Sequence, residues 1–531
     1  MKSTPRHART LALSAAALAV VALSGPAGAA DTGSQQYVTT TTTPAQAESQ
    51  QSHVDQDKLG ISAMNHAVRG KSAPFIYADP GSVRPTLMLP GSPTPYDVAD
   101  LATRFKSAFS ELPGGGLVLD IPLEVADGAT LRIDSATTPV FDLRSDDQGY
   151  AYLVGIHATI ELVGTAATPL HIGSYDRSTG RADQDLATGR AYVAAEGSHM
   201  TLSHVEAADL GFYTGTASGM AWLPYGGVDA SGSIESSSLT GNYFGAYSSN
   251  TTGFRVSDTE FADSIVYGFD LHDHAQDATI TASTSTGNGS HGFNLNRGCS
   301  GTTISETTSS ANGGVGFLIN ANRSSPGHPS IPSSRNTLEN VTASANSGAG
   351  VLIHSGTANA VRSSTVAKDH GGIIVVGQAK DTVIDANTVR PASGPGIEVS
   401  AGSTGATITG NTVSGGSTGI LSNEATPTTI TGNSITKVQG TGLKLNGDEA
   451  GFTLSDNSIS GTGASPIYVN GQPTTTLDGA TVRRWDVPGV NWWIRPLELS
   501  LWILILAPPL VLVGWGRRRR SKVRAAKEAT S

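Results

Sequence analysis

Residues 408–420 read ITGNTVSGGSTGI, and residues 430–443 repeat this pattern as ITGNSITKVQGTGL, 22 positions later. It returns in FTLSDNSISGTG at residues 452–463, and GFNLN at residues 292–296 recurs as GFLIN at residues 316–320, 24 positions later. Each unit holds a short apolar strand, an Asn or Gly turn and a second short strand. Such a period is typical of one β-helix coil, in which strands stack on the coils above and below. Leucine-rich repeats share the period, but their leucine framework is absent.

The repeat predicts an all-β protein whose main body is a right-handed parallel β-helix over residues 176–472. With 63 glycines and only 15% charged residues, the composition favours a turn-rich β protein over a helical one. Residues 86–175 are expected to hold an N-terminal cap and the first strands. Within them, residues 96–112 show a helical period after the N-cap candidate Asp97, and this helix is expected to cover the open end of the solenoid. Its apolar face consists of Val98, Leu101, Phe105, Phe109 and Leu112.

The N-terminus has the features of a secretory signal. Three cations within the first nine residues precede an apolar run at residues 11–23, and a small-x-small sequence follows at residues 27–29. This order predicts a signal peptide at residues 1–30. Residues 31–85 begin with a stretch rich in Gln, Thr and Ser that has little apolar content, so we expect a flexible leader there.

The C-terminus predicts a membrane anchor. Residues 497–516 are apolar except for Glu498 and Ser500, and they are long enough to cross a bilayer as one helix. Residues 517–531 carry seven Lys and Arg side chains, which places this tail in the cytoplasm. Residues 473–496 are then a stalk. We therefore expect a single-pass cell-membrane protein with an extracellular ectodomain.

The ectodomain is strongly acidic. The whole chain has a net charge of −10, and removing three cations of the signal and a net six of the tail leaves −19. A general field of this sign excludes nucleic acid as a partner, and any polyanion must be held by local cations. One cysteine, Cys299, excludes an intramolecular disulfide.

Four segments are predicted to be equivalent strands of successive coils: FDLH at residues 269–272, FNLN at 293–296, FLIN at 317–320 and VLIH at 351–354. Side chains alternate between the two faces of a strand. The first and third positions are apolar and should face the core, so the second and fourth should face solvent. The last step spans 34 residues, so its register assumes an insertion at residues 324–334. One predicted outer column is His272, Asn296, Asn320 and His354, and its neighbour contains Asp270 and Asn294.

The coil around His272 is rich in reactive side chains. Arg297 lies 25 residues after His272, and Tyr247 lies 23 residues before Asp270, about one coil away in each direction. A base, a tyrosine, a carboxylate and an arginine on one groove suit removal of a proton beside a carboxylate. His272 would take the proton with Asp270 orienting its imidazole, while Arg297 would neutralise the substrate carboxylate. Tyr267 would transfer a proton at the opposite face.

The same residues carry a family resemblance. The sequence IVYGFDLHDH at residues 265–274 resembles the Y-G-[IF]-D-P-H-[DE] signature of the mannuronan C5-epimerases, and HGFNLNR at residues 291–297 resembles their H-G-x-x-x-x-R segment. The likeness extends over roughly residues 238–322. It implies a right-handed β-helix acting on alginate. It also implies that His272 is the catalytic base, that Asp270 and Tyr267 are its partners, and that Arg297 neutralises the substrate carboxylate.

One departure from the signature stands at Leu271, where the family has proline. We expect its side chain to point into the core, so that no chemical group is lost. Further substrate-binding candidates are Tyr247, Asp273, His291, Asn294, Asn296, Asn320 and Arg323. The turn residues Asn411, Asn433 and Asn457 are expected to hydrogen-bond their own turns.

The leading functional hypothesis is C5-epimerisation of uronate residues in a 1,4-linked polyuronate, an anionic polysaccharide, by a monomer without a cofactor or an obligatory metal. A lyase on a similar polymer is the first alternative, because it begins with the same proton removal. A non-catalytic β-helix that binds glycan or cell wall, or resembles copper-assembly β-helix proteins, is the second. A metal site is a further alternative, with His272, His274, His291 and His354 as its ligands.

Overall fold

The computed structural model describes residues 44–78, 84–321, 330–425, 427–446, 451–470 and 480–487. Its strands form three long sheets of 16, 14 and 18 strands. One strand of each sheet contributes to each coil, and equivalent strands of successive coils pair in parallel. The predicted parallel β-helix is therefore confirmed. The signal, the membrane helix and the basic tail predicted at residues 1–30, 497–516 and 517–531 lie outside the described residues.

The first sheet contains the four segments that the sequence aligned. Apart from its first strand, it is parallel throughout. Its strands are Phe75–Tyr77, Thr86–Leu89, Leu123–Val125, Tyr152–Ile156, Tyr192–Glu196, Gly219–Leu223, Phe244–Ser249, Phe269–His272, Phe293–Asn296, Phe317–Asn320, Ala349–His354, Gly371–Val376, Pro395–Ser400, Thr418–Asn423, Thr441–Asn446 and Ser465–Asn470.

The second sheet follows in each coil and consists mostly of short strands. Its strands are Tyr96–Asp97, Thr130–Asp134, Thr159–Val163, His199–Ser203, Ser231–Glu235, Arg255–Ser257, Thr279–Thr281, Thr303–Ser305, Thr337–Glu339, Ala360–Arg362, Val383–Asp385, Ala406–Thr409, Thr428–Thr431 and Phe452–Ser455. Along most of them, buried apolar side chains alternate with side chains that are at least partly exposed, as the alternation of a strand requires.

The third sheet closes each coil and also includes the antiparallel pairs at the N-terminal end. Its strands are Phe109–Glu111, Leu117–Leu119, Phe141–Asp146, Gly149–Tyr150, Leu170–Asp176, Arg181–Ala182, Val205–Ala208, Ser238–Thr240, Glu260–Ala262, Thr284–Thr286, Thr308–Ser310, Thr342–Ser344, Thr365–Ala367, Thr388–Arg390, Thr412–Ser414, Ser434–Val438, Asn457–Thr462 and Ala480–Asp486. A short 3-10 helix, Gly215–Ala217, interrupts one coil.

The bend between the second and third sheets depends on one left-handed residue in each coil. Asp258, Ala282, Glu306 and Asn340 occupy this position with φ of 48°, 49°, 52° and 54°. This conformation is unfavourable for residues other than glycine. The backbone bonds of the neighbouring coils hold it in place, so stacking stabilises a turn that an isolated coil would not adopt.

The interior of the solenoid is a continuous apolar stack. The first and third residues of each aligned segment, such as Phe269 and Leu271, are buried in it, as the sequence predicted. Phe293 and Phe317 stack with their ring centroids 5.4 Å apart at an angle of 6°. The predicted inward orientation of Leu271 is confirmed, because none of its surface is exposed.

A buried column of asparagines joins the later coils. Asn411 donates from Nδ2 to Asn433 Oδ1 at 3.0 Å, and Asn433 donates in the same way to Asn457 at 3.0 Å. Their oxygens also accept the backbone N–H of the equivalent residue one coil earlier, as Asn411 does from Asn387. The sequence predicted bonds within single turns, but these side chains chiefly connect one coil to the next.

The predicted flexible leader is wrong for residues 44–78. This stretch forms the helix Pro44–Ala67 and the strand Phe75–Tyr77, which pairs antiparallel with Thr86–Leu89. The helix buries Val54 and Ile61 in an apolar cluster on the outside of the first sheet. Its polar sequence gives no sign of such packing. The surface that it covers is formed by coils far along the chain, which the helix sequence alone cannot indicate.

The predicted capping helix exists but is shorter than residues 96–112. The helix Val98–Arg104 begins at the N-cap Asp97, whose side chain accepts from the Ala99 and Asp100 amides. Its residues Val98 and Leu101 pack on the core. The helix ends at Arg104 with Phe105 as its C-cap, and residues 109–111 pair as a strand with Leu117–Leu119 instead of continuing it.

The parallel ladder extends beyond both limits predicted for the solenoid. At its start, Thr86–Leu89 pairs in parallel with Leu123–Val125. At its end, Ala480–Asp486, within the predicted stalk, pairs in parallel with Asn457–Thr462. Nowhere in the described part of the chain is there a helix with the length and apolar character that a membrane crossing needs.

We expect Asn411→Leu to lower the free energy of unfolding by about 1–3 kcal/mol, because it leaves the buried Asn387 amide without its acceptor. Urea denaturation of the two proteins measures the difference. Thr412→Ala, an exposed change on the adjacent strand, is the matched control and should leave the midpoint unchanged. Equal midpoints for all three proteins would contradict a stabilising role for the column.

Candidate active site

The predicted outer columns exist on the first sheet. Tyr247 is in register with Asp270, and Asp270 with Asn294. Asn296 is in register with Asn320, and the next coil continues with the pairs Phe317 to Val351 and Ile319 to Ile353. The insertion assumed between the third and fourth segments therefore gives the correct register, and it places His354 after Asn320 in the column.

Asp273 connects the predicted base to the predicted arginine. His272 Nδ1 lies 2.9 Å from one carboxylate oxygen of Asp273, and Arg297 Nη1 donates to the other oxygen at 2.9 Å. The sequence predicted that Asp270 orients His272 and that Asp273 binds substrate. That assignment is wrong, since the turn after the strand brings Asp273 back against the ring.

This arrangement changes the acid–base properties of its members. Burial alone opposes a charged His272, but the carboxylates of Asp273 and Asp270 outweigh it and raise its pKa above the usual value. Burial opposes charge on Asp273 as well, yet His272 and Arg297 lower its pKa. The cluster therefore keeps Asp273 ionised and makes His272 a stronger base than a free histidine.

Asp270 has a different environment. It is almost fully buried, and Asn294 Nδ2 donates to its Oδ1 at 2.8 Å. Burial raises the pKa of Asp270 to about 6, against the lowering effects of His272 and Asn294. Asp270 therefore influences His272 through its charge rather than by holding the ring.

Three rings stack along the edge of the site. The residues are Phe244, Tyr267 and His291, each of which precedes a glycine in its coil. The ring centroid of Tyr267 lies 5.2 Å from that of Phe244 and 5.2 Å from that of His291. Tyr267 and His291 are within 7° of parallel. Stacking on both sides fixes the tyrosine ring, and burial raises the pKa of its hydroxyl. Tyr267 therefore keeps its proton at neutral pH.

His291 has a structural role that the sequence did not predict. It was expected to bind substrate, but it is buried, and its Nδ1 accepts from the Val315 amide at 3.0 Å. Burial lowers its pKa to about 4. A neutral His291 therefore supports the Tyr267 ring.

Sequence reasoning missed Phe244. The signal was present, because YFGAY at residues 243–247 stands one coil before VYGFD at residues 266–270, with the glycines 23 positions apart. Phe244 also stacks on Tyr247, whose ring centroid lies 5.7 Å from that of His272. The aromatic edge is thus continuous from Phe244 to His272.

Two amide oxygens beside the site have no partner among the described residues. Asn294 Oδ1 and Asn296 Oδ1 are both buried and accept no hydrogen bond there. A buried acceptor without a partner is unusual in a native protein and often marks a site for a ligand. These oxygens suit donors such as sugar hydroxyl groups.

The remaining candidate residues are Asn320, His354 and Arg323. Asn320 and His354 stand in the predicted column, whereas Arg323 lies outside the described residues. Within the described ranges, no three His, Cys, Asp or Glu side chains are grouped closely enough to hold a metal ion. Cys299 is buried, and its thiol donates to the Leu271 carbonyl at 3.3 Å.

Two family models match parts of the chain. One, described as "Right handed beta helix region", matches residues 226–389, and the other, "Periplasmic copper-binding protein (NosD)", matches residues 331–478. The first includes the candidate site and agrees with the predicted right hand of the solenoid. The second covers the later coils.

One curated protein is similar to part of this chain. The mannuronan C5-epimerase of Pseudomonas putida is 25% identical over 201 residues. The chain resembles the mannuronan C5-epimerases. The alignment covers 36% of this chain and 37% of that epimerase, so it spans little more than a third of the relative's length.

Solved epimerase structures share the architecture. The periplasmic alginate epimerase AlgG matches with a TM-score of 0.51, and a point mutant of it with 0.52. Both matches have 16% sequence identity and cover 76% of this chain and 85% of AlgG. At this identity the likeness shows the fold of an alginate epimerase. The departure at Leu271 is compatible with it, because that side chain fills the core.

We expect His291 to make folding sensitive to acid. The unfolded chain binds its proton near pH 6.5 but the folded chain only near pH 4, so stability falls as the pH drops through this range, by up to about 3 kcal/mol. In His291→Asn, whose amide can still accept from Val315, urea midpoints at pH 7 and pH 5 should differ less than in the wild type. An identical loss in both proteins would contradict a buried neutral His291.

Proposed function

We propose that the protein inverts C5 of uronate residues in a 1,4-linked polyuronate such as mannuronan. The observation that carries this proposal is the contact of His272 with the Asp273–Arg297 pair, in the same coil as a tyrosine, Tyr267, that is stacked on both faces. A base, a carboxylate-binding cation and a protonated phenol are the groups that the reaction needs. The resemblance to the mannuronan C5-epimerases supports the same assignment.

His272 acts as the base that removes H5. We assign the proton of the neutral ring to Nδ1, which lies 2.9 Å from an Asp273 oxygen, because a carboxylate can only accept; Nε2 then keeps its lone pair. Nε2 then takes H5 from the sugar. The raised pKa of His272 increases its basicity, while the enzyme needs a pH at which the ring is still neutral.

Arg297 binds the substrate carboxylate. Among the described residues, its side chain donates one hydrogen bond, from Nη1 to Asp273, so other N–H groups can bind a carboxylate in bidentate fashion. Loss of H5 moves negative charge onto that carboxylate. A fixed guanidinium stabilises this charge more in the transition state than in the ground state, which lowers the barrier.

Tyr267 returns a proton to C5 from the other face. Its hydroxyl is protonated at neutral pH, and its ring is held between Phe244 and His291. The intermediate gains this proton, and the phenolate is then protonated again while His272 loses the one it took. A lyase would share the first step and expel the substituent at O4 instead.

We further propose the cellular setting that the sequence predicts. A helix at residues 497–516 would anchor the protein, with the tail at residues 517–531 in the cytoplasm and the solenoid outside. A tethered solenoid would then act on a polysaccharide at the cell surface. Fractionation of cells that express the full chain, with protease added from outside, tests this arrangement.

The central test incubates the full chain with polymannuronate, and separately with polyglucuronate, in deuterated buffer. We expect inverted sugars that carry deuterium at C5, detected by proton NMR. His272→Ala should lower the rate about 100-fold or more, because it removes the base. His199→Ala, an exposed histidine on the second sheet, is the matched control.

The other outcomes of this experiment are separable. Unsaturated chain ends, seen by ultraviolet absorbance without inversion, would replace the epimerase by a lyase. If a folded wild-type protein exchanges no C5 hydrogen on any polyuronate, the catalytic proposal fails. Binding without exchange would then favour a glycan-binding β-helix.

The pH profile tests the role of Asp273. The rate should rise with pH as His272 loses its proton, and the midpoint should lie above 6.5 because its pKa is raised. In Asp273→Asn, which removes the strongest raising influence, the midpoint should move to lower pH. Asp277→Asn, an exposed change in the same coil, should leave it in place. A shift in both variants or in neither would contradict this role.

A further inference from the structure

The outer face of the first sheet is covered on one side of the candidate site. Val154, Ala194 and Ala221 follow one another in register and lead to Tyr247 and Asp270. They therefore occupy the same outward row as the site residues. None of the three has any exposed surface. Side chains that point out of a solenoid can be this buried only if another part of the chain lies over them.

The opposite side of the site is more open. Further along the same row, Leu318 and Ile374 are still buried, with 5% and 8% exposure, whereas Leu352, Glu398 and Lys444 are only partly buried. Tyr468, in the last coil of the row, is 45% exposed. Register places each of them on the line that begins at Asp270. The face therefore changes from covered to accessible along the axis of the solenoid.

The helix Pro44–Ala67 forms this cover together with Leu186, Phe212 and Ala217. Its Val54 and Ile61 pack in a cluster with Tyr150, Tyr192 and other aromatic residues of the first coils. Both tyrosine hydroxyls donate to the buried carboxylate of Asp57, at 2.7 and 3.1 Å. This combination of apolar and polar contacts fixes the helix across the sheet.

The covered region reaches the candidate site without a break. Leu186 and Leu223 pack both against the cluster beneath the helix and against a second cluster formed by Tyr243, Phe244, Tyr247 and Val266. Phe244 in turn stacks on Tyr247 and on Tyr267. The groove thus meets an aromatic wall in the coil before His272.

We propose that the substrate groove is closed at this wall, so that the enzyme converts sugars at or next to one end of the polysaccharide chain. The outward columns run along the solenoid axis, with a step of about 4.8 Å per coil. An extended polymer that contacts several coils must follow this axis, and among the described residues the downstream direction is the less covered one. This inference rests on the proposed function and specifies which residues of the polymer react.

The downstream coils offer groups that suit a polysaccharide. Asn423, Asn446 and Asn470 follow one another in register on the outer face, after the buried Ser400. Asn446 Nδ2 donates to Asn423 Oδ1 at 3.1 Å. Amide groups both donate and accept, as sugar hydroxyls do. A chain whose end lies at His272 would continue along these residues.

The test uses mannuronate oligomers of one length in deuterated buffer, with a bulky fluorophore on either the reducing or the non-reducing end. Fragmentation mass spectrometry locates the sugars that carry deuterium at C5. We expect the wild type to label sugars near one end only, and the fluorophore to abolish labelling when it blocks that end but not the other. Equal labelling of internal and terminal sugars would overturn the closed groove.

Variants of the helix test whether it helps to close the groove. Ile61→Asp places a charge in the buried contact, so undocking of the helix should remove the end preference and spread deuterium to internal sugars. Gln56→Asp introduces the same charge at an exposed position of the helix and should keep the wild-type pattern. If Ile61→Asp does not fold, the blocked-end oligomers on the wild type decide the question alone.

The outcomes separate the two proposals. Inversion at internal positions overturns the closed groove and leaves the epimerase standing. If the wild type neither exchanges C5 hydrogen nor binds any uronate oligomer, the proposed function fails and this inference falls with it. End-selective labelling that also occurs in Ile61→Asp with a displaced helix would overturn the role of the helix in closing the groove.

Discussion

Parallel backbone pairing between successive coils is the interaction on which the rest of this structure depends. It sets equivalent residues about 4.8 Å apart and turns a sequence period into a spatial column. The candidate site draws on three coils for this reason: Tyr247 comes from one, Tyr267 to Asp273 from the next and Arg297 from the third. No single coil contains the groups that proton transfer beside a carboxylate requires.

The same pairing stabilises left-handed backbone conformations that are unfavourable for these residues in isolation. Asp273, His274 and Arg297 have φ of 39°, 61° and 56° in the turns that follow their strands. Strain of this kind is often found at functional sites, where the surrounding structure imposes it. Here the left-handed turn at Asp273 returns its carboxylate to His272, and the next coil supplies Arg297 to the other oxygen. The charge network and the turn geometry therefore have one cause.

Part of the candidate site could be predicted from the sequence, because it depends on the order of residues within a strand and on the length of the repeat. The alternation FDLH, FNLN and FLIN determines which side chains face outward, and the repeat length determines which of them share a column. The roles of Asp270 and His291 could not be predicted, since burial and hydrogen-bond partners in other coils determine them. Asp270 is held by Asn294, and His291 accepts from Val315.

The sequence by itself determined the parallel β-helix and its core, and it predicted that Tyr267, Asp270, His272 and Arg297 share one groove. These follow from a repeating pattern of apolar and polar residues that every coil obeys. Only the tertiary structure decided that Asp273 joins His272 to Arg297 and that the helix Pro44–Ala67 covers the first coils. Those contacts join a turn or a helix to surfaces built by other parts of the chain, and no local periodicity encodes them.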